Sequence, residues 1–322
     1  MTTDRGMSRR QMLAAGVSGA MAAGLSKANG AEGAAKGGGR WPAPFRFCLN
    51  TGTILGHKLK VDQEIELAAK AGYEAVELWI NRIEDFVNGG GSLKELKKRI
   101  ADLGLTVEGA IGFARWIVDD DAQRAKGMEQ VKREMAMVAE IGCKRVAAPP
   151  SGANSQPGLD LRKAAERYRA LLELGDQTGV TPQLELWGAS KNLSRLSEGA
   201  FVAIESGHPK ACLLPDVFHI YRSGSDFSSL RLLSNRMIQV FHLNDYPADL
   251  PREKARDSDR IFPGDGVAPL SEILRDLADN GGGQVLSLEL FNPTYSQQDA
   301  LTVAKTGLDK MKAVVKKTFA KG

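Results

Sequence analysis

The chain has 322 residues, 43% of them hydrophobic, which suits a single large α/β core, because barrels of that class often exceed about 250 residues undivided. No stretch reaches the roughly 18 consecutive apolar residues of a membrane-spanning helix, so an integral helical membrane protein is excluded. The formal net charge of +4 lies wholly in residues 1–40, where Arg5, Arg9, Arg10, Lys27, Lys36 and Arg40 face Asp4 and Glu32; the rest is neutral, which argues against a nucleic-acid-binding surface.

In chain order, Ser8-Arg9-Arg10-Gln11-Met12-Leu13 is a twin-arginine pattern. The Ala/Gly/Met/Val stretch over 13–25 has the length of a signal-peptide apolar region, and Ser26-Lys27-Ala28 offers a small-x-small cleavage site. The expectation is a signal peptide over 1–28 and a flexible Gly/Ala-rich linker over 29–44. The mature protein is then expected outside the cytoplasm, periplasmic in a cell with two membranes, with no stable membrane insertion. Cys48, Cys143 and Cys212 are odd in number and far apart, which fits small buried apolar side chains better than a disulfide framework.

From Phe45 onward short apolar runs alternate with segments of helical period. Strands are predicted over 45–50, 74–79, 105–112, 144–149, 182–187, 212–217, 238–244 and 284–290. Helices are predicted over 61–72, 92–103, 120–141, 160–178, 194–206, 226–235, 268–280 and 298–318. Glycines at 72, 104, 142 and 179 mark helix stops. Eight strand-helix pairs in strict alternation predict a parallel sheet closed as a single-domain (β/α)8 TIM barrel over 45–322, preceded by the signal segment. The competing open sheet needs a Gly-rich phosphate loop after the first strand, and the segment 50–56 lacks the dinucleotide spacing.

In such a barrel the active site lies at the carboxyl ends of the strands. In the second half those ends carry Glu185, Asp216, His242 and Glu289. On the last strand Leu286, Leu288 and Leu290 share one face and Ser287, Glu289 and Phe291 the other; Leu184 and Leu186 oppose Glu185, and Phe241 and Leu243 oppose His242 and Asn244. The acids therefore fall on interior positions, where unpaired carboxylates are costly. A divalent ion relieves their repulsion, and the Glu/Asp/His/Glu set suits Mn²⁺, Co²⁺, Mg²⁺ or Zn²⁺.

At these residues the chain resembles the sugar phosphate isomerase/epimerase group of xylose isomerase-like TIM barrels, which includes ketose 3-epimerases such as D-tagatose 3-epimerase, and inosose isomerases. The resemblance spans about residues 45–316 and is most specific in Leu184-Glu185-Leu186-Trp187-Gly188, Asp216-Val217-Phe218-His219, His242-Leu243-Asn244-Asp245 and Leu288-Glu289-Leu290. It implies one metal on Glu185, Asp216, His242 and Glu289, with Glu185 and Glu289 as acid/base groups on opposite faces of the substrate. It also implies that His219 contacts a substrate oxygen. The chain departs from the ketose epimerases after His242: they carry an Arg close behind the His, whereas here the first is Arg252. A loop over 256–266 intervenes, and from it Arg260 is expected to reach over the mouth. Trp187 is a candidate apolar wall for a sugar ring, Asn50 and His57 are further candidates for substrate contact, and Glu77 is a candidate structural acid supporting the site. His208 reads as a surface residue.

The expected reaction is isomerisation or epimerisation of a sugar, keto-sugar or cyclitol. A proton leaves the carbon beside a carbonyl, two Glu act as base and acid, and a metal stabilises the enediolate as a Lewis acid. An alternative keeps the proton abstraction but ends in elimination, as in a dehydratase or lyase on keto-sugars or keto-glycosides. A third reading, an exported sugar-binding barrel without turnover, ranks lower because all four ligand types are present. No nucleic-acid partner is expected, and an oligomer is compatible with the sequence.

Overall fold

The computed structural model describes residues 45–320; the expected signal peptide and linker lie outside the described residues. The elements run β1 (Arg46–Asn50), α1 (Val61–Ala71), β2 (Ala75–Trp79), α2 (Ile80–Asn88), α3 (Leu93–Asp102), β3 (Thr106–Ile111), α4 (Asp121–Glu140) and β4 (Arg145–Ala148). They continue as α5 (Leu161–Thr178), β5 (Thr181–Glu185), α6 (Leu196–Glu205), β6 (Leu213–Leu214), α7 (Val217–Ser223), β7 (Val240–Leu243), α8 (Leu270–Asp279), β8 (Val285–Leu288) and α9 (Ala300–Phe319).

All eight strands are parallel in the order β6-β5-β4-β3-β2-β1-β8-β7. The ring closes between β6 and β7 through bridges at Leu213–Ile238 and Asp216–His242. That seam is thin because Pro215 has no N–H to donate; its carbonyl instead accepts the His242 amide at 2.9 Å. Two expected metal ligands thus sit where the barrel closes.

Side-chain alternation sorts the strands into two apolar layers. Outward residues such as Leu78, Leu184, Phe241, Leu243, Leu286 and Leu288 join the large core beneath the helices. Inward residues Cys48, Ala75, Ile111, Ala147, Leu214, Val240 and Val285 form a smaller plug inside the barrel, as the two-residue period requires. The helix stops at Gly72 and Gly179 take φ of +93° and +76°, a backbone region that glycine enters freely. Cys48, Cys143 and Cys212 are buried and form no disulfide.

Three local expectations are corrected. The helix expected over 226–235 is a 3-10 turn, Phe227–Leu232, and the helical turn after β6 is α7, which begins directly after Asp216. A further helix, α2, follows β2 without a linker. His208, read as surface, has a side chain only 5% exposed, with Nε2 3.2 Å from Asp176. No helix among the described residues is long and apolar enough to cross a membrane.

Candidate active site and metal centre

Four acidic or imidazole side chains reach the carboxyl-terminal mouth. Glu185 ends β5, Asp216 caps the amino terminus of α7, His242 lies within β7, and Glu289 directly follows β8. Asp216, His242 and Glu289 each offer a ligand atom within 4.8 Å of the others. Glu185 stands outside that trio but lines the same cavity as Glu289. The structure therefore gathers three of the four expected ligands and leaves Glu185 further out.

Each ligand is oriented by a neighbour. Asp216 Oδ1 accepts the His219 amide at 2.8 Å, the capping bond that an Asp-x-x-His spacing makes possible at a helix start. Its Oδ2 accepts from Asn244 Nδ2 at 2.8 Å. Glu289 Oε1 accepts from Asn50 Nδ2 at 3.0 Å, and Asn50 Oδ1 in turn accepts from Trp79 Nε1 at 3.0 Å. His242 Nε2 lies 2.9 Å from Glu77 Oε2, which also accepts from Ser287 Oγ. Gly109 makes room for that acid, since a Cβ there would lie 2.5 Å from Glu77 Oε1. Glu77 is thus the supporting acid expected from sequence, and it leaves His242 Nδ1 pointing at Asp216 and Glu289.

Arg260 enters from the loop as expected, and goes deeper than the rim. Its guanidinium is 1% exposed. It donates to Glu289 Oε2, lies 3.3 Å from Asp216 Oδ2 and 3.1 Å from His219 Nε2, and packs between the rings of Phe218 and Phe291. Asp245 holds the loop in place by accepting amides of Tyr246, Gly264, Gly266 and Ala268 at 2.9–3.0 Å.

These contacts divide the protonation states. Burial, then the charge of Glu289, push the Glu185 carboxyl up to about 8 against the pull of His242. Burial would also raise Glu289, but His242 and Arg260 outweigh it and hold that carboxyl well below its usual range. Burial would lower His242, yet Glu289 and Glu77 raise it well above its usual value. Burial and then Arg260 lower His219.

The donor set fits a divalent cation. Glu185 Oε2 is buried without a hydrogen-bond partner, which a buried polar atom needs, and His242 Nδ1 faces the carboxylates of Glu289 at 3.1 Å and Asp216 at 3.8 Å. An imidazole braced by a carboxylate on its far nitrogen is the usual arrangement of a metal-binding His.

Above this floor lies a cavity of about 430 Å³ lined by Glu185, His219, Arg260 and Glu289 together with Trp79, Phe113, Trp187 and Phe291. Trp187, His219 and Arg260, expected to meet substrate, all face it. Asn50 does not line it and instead positions Glu289, while His57 bonds the carbonyls of Ile54 and Gln298. Asn244 was detectable in sequence, since it shares the His242 face of its strand. Phe113, Asn154, Arg222 and Asp257 also line the cavity; they sit on α7 or on loops without a repeating pattern, and nothing local in the sequence marks them.

Comparison with known proteins agrees with this geometry. The profile of the xylose isomerase-like TIM barrel family matches residues 65–314. The inosose isomerase of Bacillus velezensis is 26% identical over 281 residues, covering 86% of this chain and 99% of that protein. The 3-dehydroshikimate dehydratase of Pseudomonas aeruginosa is 26% identical over 266 residues, 80% of this chain and 40% of that longer protein. Among solved structures, the IOLI protein with a bound zinc atom superimposes with a TM-score of 0.78 at 23% identity, over 86% of this chain and 100% of that one.

Proposed function

The chain belongs to the xylose isomerase-like TIM barrel family, and from that premise we propose that it is a divalent-metal-dependent isomerase or epimerase of a sugar, keto-sugar or cyclitol. One observation carries the reading: Asp216, His242 and Glu289 converge within 4.8 Å beside a second buried carboxyl, Glu185, in the same cavity. Glu185, Asp216, His242 and Glu289 would hold the ion. When bound, a divalent cation supplies Lewis-acid stabilisation to the oxyanion that develops beside the broken C–H bond.

The remaining work belongs to side chains. Glu289, kept ionised by His242 and Arg260, takes the proton from the carbon next to the carbonyl. Glu185, the second buried carboxyl of the cavity, returns one. Delivery to the opposite face of the same carbon gives epimerisation; delivery to the neighbouring carbon, with the hydroxyl proton of the first carbon passing to the former carbonyl oxygen, gives isomerisation. His219, neutral and with Nδ1 unpartnered, offers a hydrogen bond to a substrate hydroxyl. Trp187 lines the cavity beside Glu185 and helps exclude water.

A second reading, elimination from a keto-sugar, is supported by the 26% identity to a dehydratase; it shares the proton abstraction and differs in losing water from the next carbon. We also propose that residues 1–28 direct export by the twin-arginine route and that 29–44 form a linker, which fractionation of cells expressing the full chain tests directly.

The reaction is tested by incubating ketoses, inososes and keto-glycosides with protein and Mn²⁺ in deuterated water. Exchange at the carbon beside the carbonyl, abolished in Glu289→Gln, supports the reading. Exchange that persists in that variant removes Glu289 from the mechanism, and exchange in no compound overturns the assignment.

A further inference from the structure

The cavity is larger than one ring requires. A space of about 150 Å³ takes up a six-membered carbon ring, whereas this cavity measures about 430 Å³. The excess has its own character. Glu185, Glu289, His219 and Arg260 gather over β5–β8, while the loops after β3, β4 and β5 supply Phe113, Asn154 and Trp187. Trp79, Phe113 and Trp187 form a continuous aromatic wall, with ring centroids 5.5 Å apart for the first pair and 6.2 Å for the second. Phe113, at its middle, is 45% exposed, although two large rings stand ready to pack it.

Polar groups border that wall. The Asn154 side chain makes no hydrogen bond among the described residues, and Arg222 has only Asp257, at 3.9 Å. Aromatic faces stack on the C–H face of a sugar or on another arene, and such surfaces with polar edges suit flat, hydroxyl-bearing groups.

Resting on the proton-transfer reading above, we propose that the substrate has two rings. The ring bearing the carbonyl lies over Glu185 and Glu289, and a second, hydroxyl-bearing ring joined through a glycosidic oxygen lies on Phe113 and Trp187, with Asn154 and Arg222 at its edge. The substrate class is therefore a keto-glycoside rather than a free monosaccharide or cyclitol.

The test uses the metal-loaded full-length protein and compares deuterium incorporation into single-ring keto-sugars and inososes with incorporation into their aryl and glycosyl glycosides. The glycosides are expected to show the higher kcat/KM. In Phe113→Ala the ratio of glycoside to single-ring kcat/KM should fall about tenfold, the scale of one lost aromatic contact and its burial, while Phe113→Tyr preserves it. Equal kcat/KM for both classes, or a ratio unmoved by Phe113→Ala, overturns the two-ring substrate and leaves proton transfer intact. No incorporation into any compound overturns the proton-transfer reading itself, and the two-ring substrate with it.

Discussion

Arg260 Nη1 donates to Glu289 Oε2, the same oxygen that lies 3.1 Å from His242 Nδ1. A guanidinium and an imidazole thus converge on one carboxylate oxygen, and Arg260 also stands 3.3 Å from Asp216 Oδ2. The oxygens that satisfy the arginine are those a divalent cation would use.

Competition of this kind has a measurable sign. Two cations a few ångströms apart in a poorly solvated site repel by several kcal/mol, about 4 at an effective dielectric constant of 20. Arg260→Met keeps the packing between Phe218 and Phe291 while removing the charge, so Mn²⁺ should bind at least about tenfold more tightly by calorimetry. Turnover should fall all the same, because Glu289, the proposed base, loses a partner that keeps it ionised. Weaker metal binding in this variant would mean that Arg260 assembles the ligands rather than competing for them.

Glu77 gives a complementary prediction. It does not line the cavity, yet it holds His242 Nε2 at 2.9 Å and so fixes which ring nitrogen faces Asp216 and Glu289. Loss of an outer partner of a metal-bound His typically costs about 10–100-fold in metal affinity. Glu77→Gln should weaken Mn²⁺ binding by that factor with little change in thermal stability at saturating metal. An unchanged dissociation constant would relegate Glu77 to barrel packing.

The two variants concern residues of unequal visibility in the sequence. Glu185, Asp216, His242 and Glu289 are readable because strand alternation is strict and their apolar neighbours point the other way, into the helical layer. Glu77 is readable for the same reason, though its partner His242 is 165 positions away. The short β6 is harder: Pro215 cuts the ladder, so Asp216 works as a helix cap rather than a strand residue. The missed α2 begins at Ile80 with no intervening turn residue, which leaves no local stop between strand and helix. Arg260 is visible only as a loop cation, since its depth comes from Asp245 folding residues 261–268 beneath it. Phe113 and Asn154 depend wholly on how loops after β3 and β4 meet across space.

At the opposite end of the barrel, Glu108 joins three strands. It bonds Arg46 Nη1 at 2.7 Å, Lys144 Nζ at 2.8 Å and Arg145 Nη1 at 2.9 Å. Burial would raise its carboxyl, but Lys144, Thr106 and Arg46 outweigh it and bring it to about 2. A carboxyl lowered on folding stabilises the protein above its unfolded value near 4.5, and that contribution is lost as pH falls toward about 2. Glu108→Gln should cost about 2 kcal/mol at pH 7, less than a fully buried pair because Arg46 and Lys144 are partly solvated. Urea unfolding should show the difference shrinking below pH 4 while proton exchange at the mouth is retained; a constant difference down to pH 3 would show that charge is not its source.

Glu64 on α1 titrates in the opposite sense. It is fully buried, and neither carboxyl oxygen has a hydrogen-bond partner. Burial raises its carboxyl to about 7 from an ordinary 4.5, against the pull of Arg82 and Thr51. The folded state therefore prefers the protonated acid, and this contribution to stability is complete below pH 4.5. It is lost as pH rises through 7, when the buried group must ionise. A shift of this size corresponds to about 3 kcal/mol once ionisation is complete. Glu64→Gln keeps the shape and cannot ionise, so it should match the parent protein near pH 4.5. At pH 8, about one unit above the folded value, nearly all of that loss is in place, so it should be more stable by about 3 kcal/mol. Comparing the two proteins at each pH cancels every other titrating group they share. A variant equally or less stable at pH 8 would place a compensating partner on Glu64 and remove the alkaline loss assigned to it.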